Sequence, residues 1–132
     1  MKEALFCFLY HSQIAPAAGL SCVADIVKTA RNFNKEHQIT GLLVFDGQRF
    51  CQYIEGPQSA LQALIDRIGR DRRHHQFESK HHASLVGERM FACWSMAYVL
   101  VDDTEPLNDL ECLDGMAAIR KLETLLPMLD VV

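Results

Sequence analysis

The chain has 132 residues, 49% of them hydrophobic and 23% charged, with a formal net charge of -4. That length accommodates one domain, and that composition sets aside intrinsic disorder for most of it. The acidic balance argues against a surface built to grip phosphate backbones, and no apolar run approaches the roughly 20 residues that span a bilayer, so neither direct nucleic-acid binding nor membrane binding is expected.

The stretch from Met1 to Gln13 carries an early acid and then a polar break, which is not a signal-peptide pattern. Within it, Ala4 to Tyr10 is a continuous apolar run and reads as a central strand that closes at His11-Ser12. Ile14 to Gly19 contains Pro16 and Gly19 and is predicted to be a loop. Ser21 can cap a helix whose apolar positions are Val23, Ile26, Val27, Ala30 and Phe33. Gln38 to Phe45 is a second buried strand. Asp46-Gly47 signals a two-residue hairpin, and Phe50 to Ile54 returns antiparallel. Glu55-Gly56-Pro57 then opens a helix with the stripe Leu61, Leu64, Ile65 and Ile68, ended by Asp71 to His75. Ser84 to Val86 and Met90 to Val101 supply two more strands.

The predicted order is β-α-β-β-α-β-β. It implies a ferredoxin-like α+β sandwich, with one mixed, mainly antiparallel sheet and both helices on one face. Residues 1–102 form this unit, and 103–132 are a C-terminal helical extension. There Pro106 opens a short helix with Leu107, Leu110 and Leu113 inward, and Gly115 stops it. A last helix carries Ile119, Leu122, Leu126 and Leu129 on one stripe. The extension covers either the open face of the sheet or a partner.

The five cysteines, Cys7, Cys22, Cys51, Cys93 and Cys112, are odd in number and widely spaced, with no CxxC pair. They read as small hydrophobes in a reducing cytoplasm, with neither a disulfide framework nor a zinc site. Polar residues on predicted core faces carry more information. Phe6, Phe8 and Tyr10 share one face of the first strand, and Phe50, Gln52 and Ile54 share one face of the third. Trp94, Met96 and Tyr98 share a face of the last. Asn34 stands near the end of the first helix's apolar stripe. A buried amide costs roughly 2 kcal/mol or more unless it is bonded. Tyr10 and Gln52 could therefore satisfy each other as core polars, or they could join Asn34 around a polar-edged aromatic ligand.

These residues belong to an ordered set of motifs. The set begins with Tyr10 and Ser12, then Ala30-Arg31-Asn32-Phe33-Asn34, Ile39-Thr40-Gly41-Leu42-Leu43 and Phe50-Cys51-Gln52-Tyr53-Ile54-Glu55-Gly56. It continues with Arg67-Ile68-Gly69-Arg70-Asp71-Arg72-Arg73-His74, Arg89-Met90-Phe91 and Trp94-Ser95-Met96. From about Ala4 to Val101 the chain resembles a BLUF domain, a blue-light sensor using flavin. The resemblance implies FAD held between the two helices. It makes Tyr10 the photoactive tyrosine and Gln52 the switching glutamine. Asn34 would bond the flavin ring edge, and Ile26 and Ile68 would flank the ring. Arg67, Asp71 and His74 match positions near the flavin's side chain. Ser12 belongs to the cofactor-binding set, and Trp94 and Met96 would relay the change to the last strand. Phe33, Cys51 and Cys93 depart from the family's usual neighbours.

The implied function is that of a photoreceptor, not an enzyme. Light drives electron and proton transfer from tyrosine to flavin and rearranges the hydrogen bonds of glutamine, whose amide both donates and accepts. The signal would leave through the last strand and the C-terminal helices to an unidentified downstream protein. Exposed apolar surface on the extension suggests a homo-oligomer. The competing reading is a non-photoactive ferredoxin-like ligand-binding module or small enzyme. His74, His75, His81 and His82 read as solvated rather than as metal ligands, because neighbours on a strand face opposite ways, with His74 also a candidate to serve the cofactor. Arg67, Arg70, Arg72 and Arg73 read as the cationic end of a helix with flavin phosphate contacts.

Overall fold

The computed structural model describes residues 4–19, 21–91, 95–101 and 104–126. The elements are β1 (Leu5–Ile14), α1 (Cys22–Glu36), β2 (Thr40–Phe45), β3 (Arg49–Pro57), α2 (Gln58–Arg70), β4 (His74–Ser84), β5 (Ala97–Leu100), α3 (Glu105–Glu111) and α4 (Gly115–Leu125). The five strands form one sheet in the order β4-β1-β3-β2-β5. β3 runs antiparallel between β1 and β2, which are joined by the crossover helix α1. This is the split β-α-β arrangement of a ferredoxin-like sandwich. β5 adds a parallel edge beside β2 and makes the sheet mixed.

Each sheet face has its own core. Phe8, Tyr10, Leu43, Phe50 and Ile54 meet Val23, Val27, Leu61 and Leu64 of α1 and α2. On the opposite face Cys7, Leu9, Leu42, Val44, Cys51 and Tyr53 meet Leu107, Leu110, Ile119 and Leu122 of α3 and α4. The C-terminal helices therefore cover the face that α1 and α2 leave open. The central strands are buried on both sides, which is why they read as unbroken apolar runs. Gly41 is required at its position, because a Cβ there would strike the Tyr53 carbonyl oxygen of the adjacent strand.

Several boundaries differ from the sequence expectations. β1 continues past His11-Ser12 to Ile14, since pairing with β3 extends to Gln13↔Arg49. Ser21 precedes α1 without a side-chain capping bond. β2 begins at Thr40 because Gln38 has a positive φ of 59°. The hairpin turns on Gly47 and Gln48, one residue later than expected. Asp46 N–H pairs with the Arg49 carbonyl, and Asp46 Oδ1 accepts from the N–H groups of Gln48 and Arg49. Gly115 opens α4 rather than stopping α3, which ends at Glu111.

The largest differences concern the last two strands. The fourth strand is His74–Ser84, not Ser84 to Val86, so His74 and His75 begin a strand instead of ending a helix. As an edge strand it is polar almost throughout, and its pairing with β1 shifts between Leu9 and Tyr10 and between His11 and Gln13. Those bulges break the period of two that sequence reading relies on. The last strand is only Ala97–Leu100, not Met90 to Val101. Side chains take the backbone groups that a ladder would have used. Glu55 accepts from the N–H groups of Met90 (3.1 Å) and Phe91 (2.7 Å). Asn34 donates to the Ser95 carbonyl (2.7 Å) and Arg31 to that of Met96 (3.0 Å). Trp94, Cys93 and Leu129 lie outside the described residues.

Candidate functional site

Between α1 and α2, above the sheet, lies a cleft of about 280 Å³. Its floor is formed by Tyr10, Leu43, Phe50 and Gln52, its walls by Ile26, Thr29, Ala30, Phe33, Leu64 and Ile68, and its mouth by Arg67, Arg70, Asp71, Arg73 and His74. Apolar walls with a few convergent polar groups are the usual makeup of a cofactor site.

Tyr10 and Gln52 are directly opposed on β1 and β3. The phenol donates to Gln52 Oε1 at 2.5 Å, and Gln52 Nε2 donates to Met96 Sδ at 3.8 Å. A thioether can only accept, so the sulfur selects the amide orientation that leaves Oε1 for the phenol. Burial pushes the Tyr10 phenol well above its ordinary value, so it stays protonated and donates. Met96 therefore adjoins Gln52.

The other predicted residues divide into two groups. Ile26, Gln52, Arg67, Ile68, Asp71 and His74 line the cleft directly. Ser12 and Asn34 stand behind it. Ser12 Oγ bonds His74 Nδ1 at 2.7 Å, and the other ring nitrogen of His74 pairs with the Ile68 carbonyl at 2.6 Å, so His74 bridges β1 and α2 at the mouth. Asn34 is fully buried; its Nδ2 holds the Ser95 carbonyl while its Oδ1 has no partner. Arg73 pairs with Asp71 (2.6 Å), and these hydrogen bonds hold the Asp71 carboxyl below its usual range. Among the described residues no His/Cys/Asp/Glu group could hold a metal.

Sequence reading missed three contributions. Phe33, regarded as a departure, lines the cleft, and the Arg67 guanidinium sits 4.8 Å from its ring centroid, joining α1 to α2 across the opening. Arg31 and Glu55, present only as motif letters, hold backbone groups ahead of β5, Arg31 the carbonyl of Met96 and Glu55 the N–H groups of Met90 and Phe91. An acid closing the apolar run Phe50 to Ile54 is the sequence signal for Glu55, whose side chain is fully buried. Cys51, next to Gln52, points to the opposite face of the sheet, where burial pushes its thiol up to about 12.

Residues 5–97 match the family described as sensors of blue-light using FAD, BLUF. The chain belongs to this family. Its BLUF domain is a light sensor rather than a catalyst, and the family's cofactor is FAD. In structure it resembles BlrB, a BLUF protein in its dark state, with a TM-score of 0.79 and 29% identity over 96% of this chain and 97% of that one. The ground state of BlsA gives a TM-score of 0.70 and 29% identity, covering 79% of this chain and 69% of that one. In sequence it is 31% identical to the beta subunit of the photoactivated adenylate cyclase of Euglena gracilis, over 89% of this chain. It is 30% identical over 51% of its length to the blue light- and temperature-regulated antirepressor BluF of Escherichia coli K12. The chain spans only 14% and 17% of those two proteins. Among the described residues no helix is long and apolar enough to cross a membrane.

Proposed function

We propose that the chain is a blue-light switch in which Tyr10 and Gln52 carry the photochemistry and β5 with α3 and α4 carry the output to a separate protein. The observation that carries this reading is the Tyr10–Gln52–Met96 chain of hydrogen bonds at the cleft floor. The residues present fit a flavin. Ile26 and Ile68 offer apolar walls, and behind the cleft the partnerless Oδ1 of buried Asn34 is an acceptor suited to a ring edge. Arg67, Arg70 and Arg73 offer cations at the mouth for a phosphate-bearing tail. When bound, the flavin supplies blue-light absorption and, once excited, a strong oxidant.

The chain's own part is to provide an oxidisable phenol with a route for its proton. Tyr10 already donates to Gln52 Oε1, so loss of an electron from the ring can be accompanied by movement of that proton onto the amide oxygen. Rotation of Gln52 then exchanges which of its ends faces Tyr10 and which faces Met96, whereas tautomerisation leaves both ends in place and changes which of them carries the protons. Met96 stands one residue before β5, so the rearrangement acts directly on the output strand. Free cysteines support a reducing cytoplasm as the place of action. Contact with a second copy or a partner would fall on the α3–α4 layer, which carries the proposed output.

Absorption spectroscopy tests the reading. The purified chain is expected to be yellow, to shift to the red under blue light and to recover in darkness. A chain that stays colourless after refolding with FAD would instead mark a non-photoactive ligand-binding module.

A further inference from the structure

Tyr10 and Gln52 face α1 and α2. Their next neighbours, His11 and Cys51, are also directly opposed and so point at α3 and α4. There they meet a group of charged side chains that the photochemistry does not use. His11 is 1% exposed, its Nε2 has no hydrogen-bond partner, and it faces Glu111 Oε2 at 3.8 Å. Arg49 of β3 donates to the same carboxylate oxygen at 3.0 Å and to Asn108 Oδ1 at 3.4 Å. Lys80 of β4 donates to the Glu111 backbone carbonyl at 2.7 Å and to Glu78 Oε1 at 2.9 Å, with Asp114 Oδ1 at 3.6 Å. The pairing of β1 with β4 skips Lys80, since Leu9 opposes His81 and Tyr10 opposes Ser79. This bulge turns the lysine beneath the sheet. Its ammonium thereby caps the C-terminal end of α3, where helix carbonyls favour a cation.

We propose that Glu111 is the hub by which three strands hold α3, and that His11 couples this hub to the photoactive strand. The proposal rests on the light-sensing reading and names its output route. Glu111 is reached from β1, β3 and β4 at once, through His11, Arg49 and Lys80. Of the three contacts, the His11 contact alone is not a formed hydrogen bond. It is also the one made by the residue bonded to Tyr10. A buried ring nitrogen left unpaired is unfavourable. A shift of β1 that closes the gap to Glu111 therefore gains a hydrogen bond, and α3 responds to a displacement of tenths of an ångström. Burial keeps His11 neutral, supported by Lys80 and Arg49 and opposed by Glu111 and Glu78. The gap is thus governed by position rather than by a standing ion pair.

The test is hydrogen–deuterium exchange on the full FAD-loaded chain in darkness and under blue light, with absorption spectra in parallel. The variants are Glu111→Gln, His11→Leu and the charge-keeping Glu111→Asp. Wild type is expected to show a light-minus-dark exchange difference across Glu105–Glu111. All three variants are expected to keep the red shift, and in each that difference falls at least about threefold. A purely structural role for Glu111 would raise exchange equally in both states and leave the difference intact, which overturns the proposal. A red-shifting wild type with no difference at α3 overturns it too. Absence of any red shift in wild type overturns the light-sensing reading itself, and the relay with it. If Glu111→Gln fails to fold, Glu111→Asp and His11→Leu decide by the same criterion.

Discussion

The residues on which the proposed switch rests are polar side chains on the cleft side of the sheet. Gln52 is buried, and both ends of its amide are engaged, one by Tyr10 and one by Met96. Gln52→Leu fills similar space with neither donor nor acceptor. We expect that variant to retain flavin and to lose the light-induced red shift, as read by difference spectroscopy. Tyr10→Phe should likewise bind flavin and lose productive photocycling. Met96→Leu is milder, because a volume-conserving swap usually costs under about 1.5 kcal/mol in stability. It removes the acceptor that draws Gln52 Nε2 back to its dark orientation. Dark recovery should slow by about twofold to fivefold, the effect of about 0.5–1 kcal/mol on a barrier, where tenfold corresponds to about 1.4 kcal/mol. Recovery at the wild-type rate would remove Met96 from the switch. Tyr10, Gln52 and Asn34 could be picked out in the sequence because they interrupt apolar periodicity. Ser12 could not be placed behind the cleft, because its position depends on the long-range contact to His74.

At the level of elements, legibility followed hydrophobic pattern. β1, β2 and β3 stand out as apolar runs buried on both faces, and α1 and α2 by the single stripe each buries. β4 does not, since an edge strand with two bulges and a sequence such as His74-His75-Gln76 carries no period of two. β5 was overextended for the opposite reason. The run from Met90 onward is apolar enough for a strand, yet Glu55, Asn34 and Arg31 take backbone groups of residues 90, 91, 95 and 96. The pairing of β2 with β3 depends on close approach at Gly41. Gly41→Ala places a methyl against the Tyr53 carbonyl oxygen. We expect a loss of about 2–3 kcal/mol, the scale of core overpacking. Urea denaturation should show it as a lower midpoint with an unchanged slope. An unaltered midpoint would mean that β2 can draw away from β3 at no cost.

At the scale of the whole molecule, the sheet is a partition with the cleft between α1 and α2 on one side and the α3–α4 layer, the proposed output, on the other. Buried His11 and half-buried His81 make the stability of this sheet depend on pH in a predictable direction. Burial lowers the pKa of His11 and is the first cause of the same shift at His81, where the His82 charge adds to it. In the unfolded chain each imidazole takes its proton near the ordinary value of about 6.5. Below that value the unfolded chain binds more protons than the folded one, so stability falls as the pH is lowered. The loss is complete once the pH passes the depressed folded values. Each group contributes a slope of at most about 1.4 kcal/mol per pH unit within that window. Asp71, held down by Arg73, adds a further loss only when the pH falls through the carboxylate range. His11→Gln removes one of the two histidine contributions. Its stability curve, measured by denaturation at a series of pH values, should therefore be shallower than wild type just below pH 6.5. Parallel curves would show that His11 takes up a proton in the fold as readily as in the unfolded chain. His11 would then be charged opposite Glu111 in mildly acidic solution, and the gap between them would close by ion pairing without light.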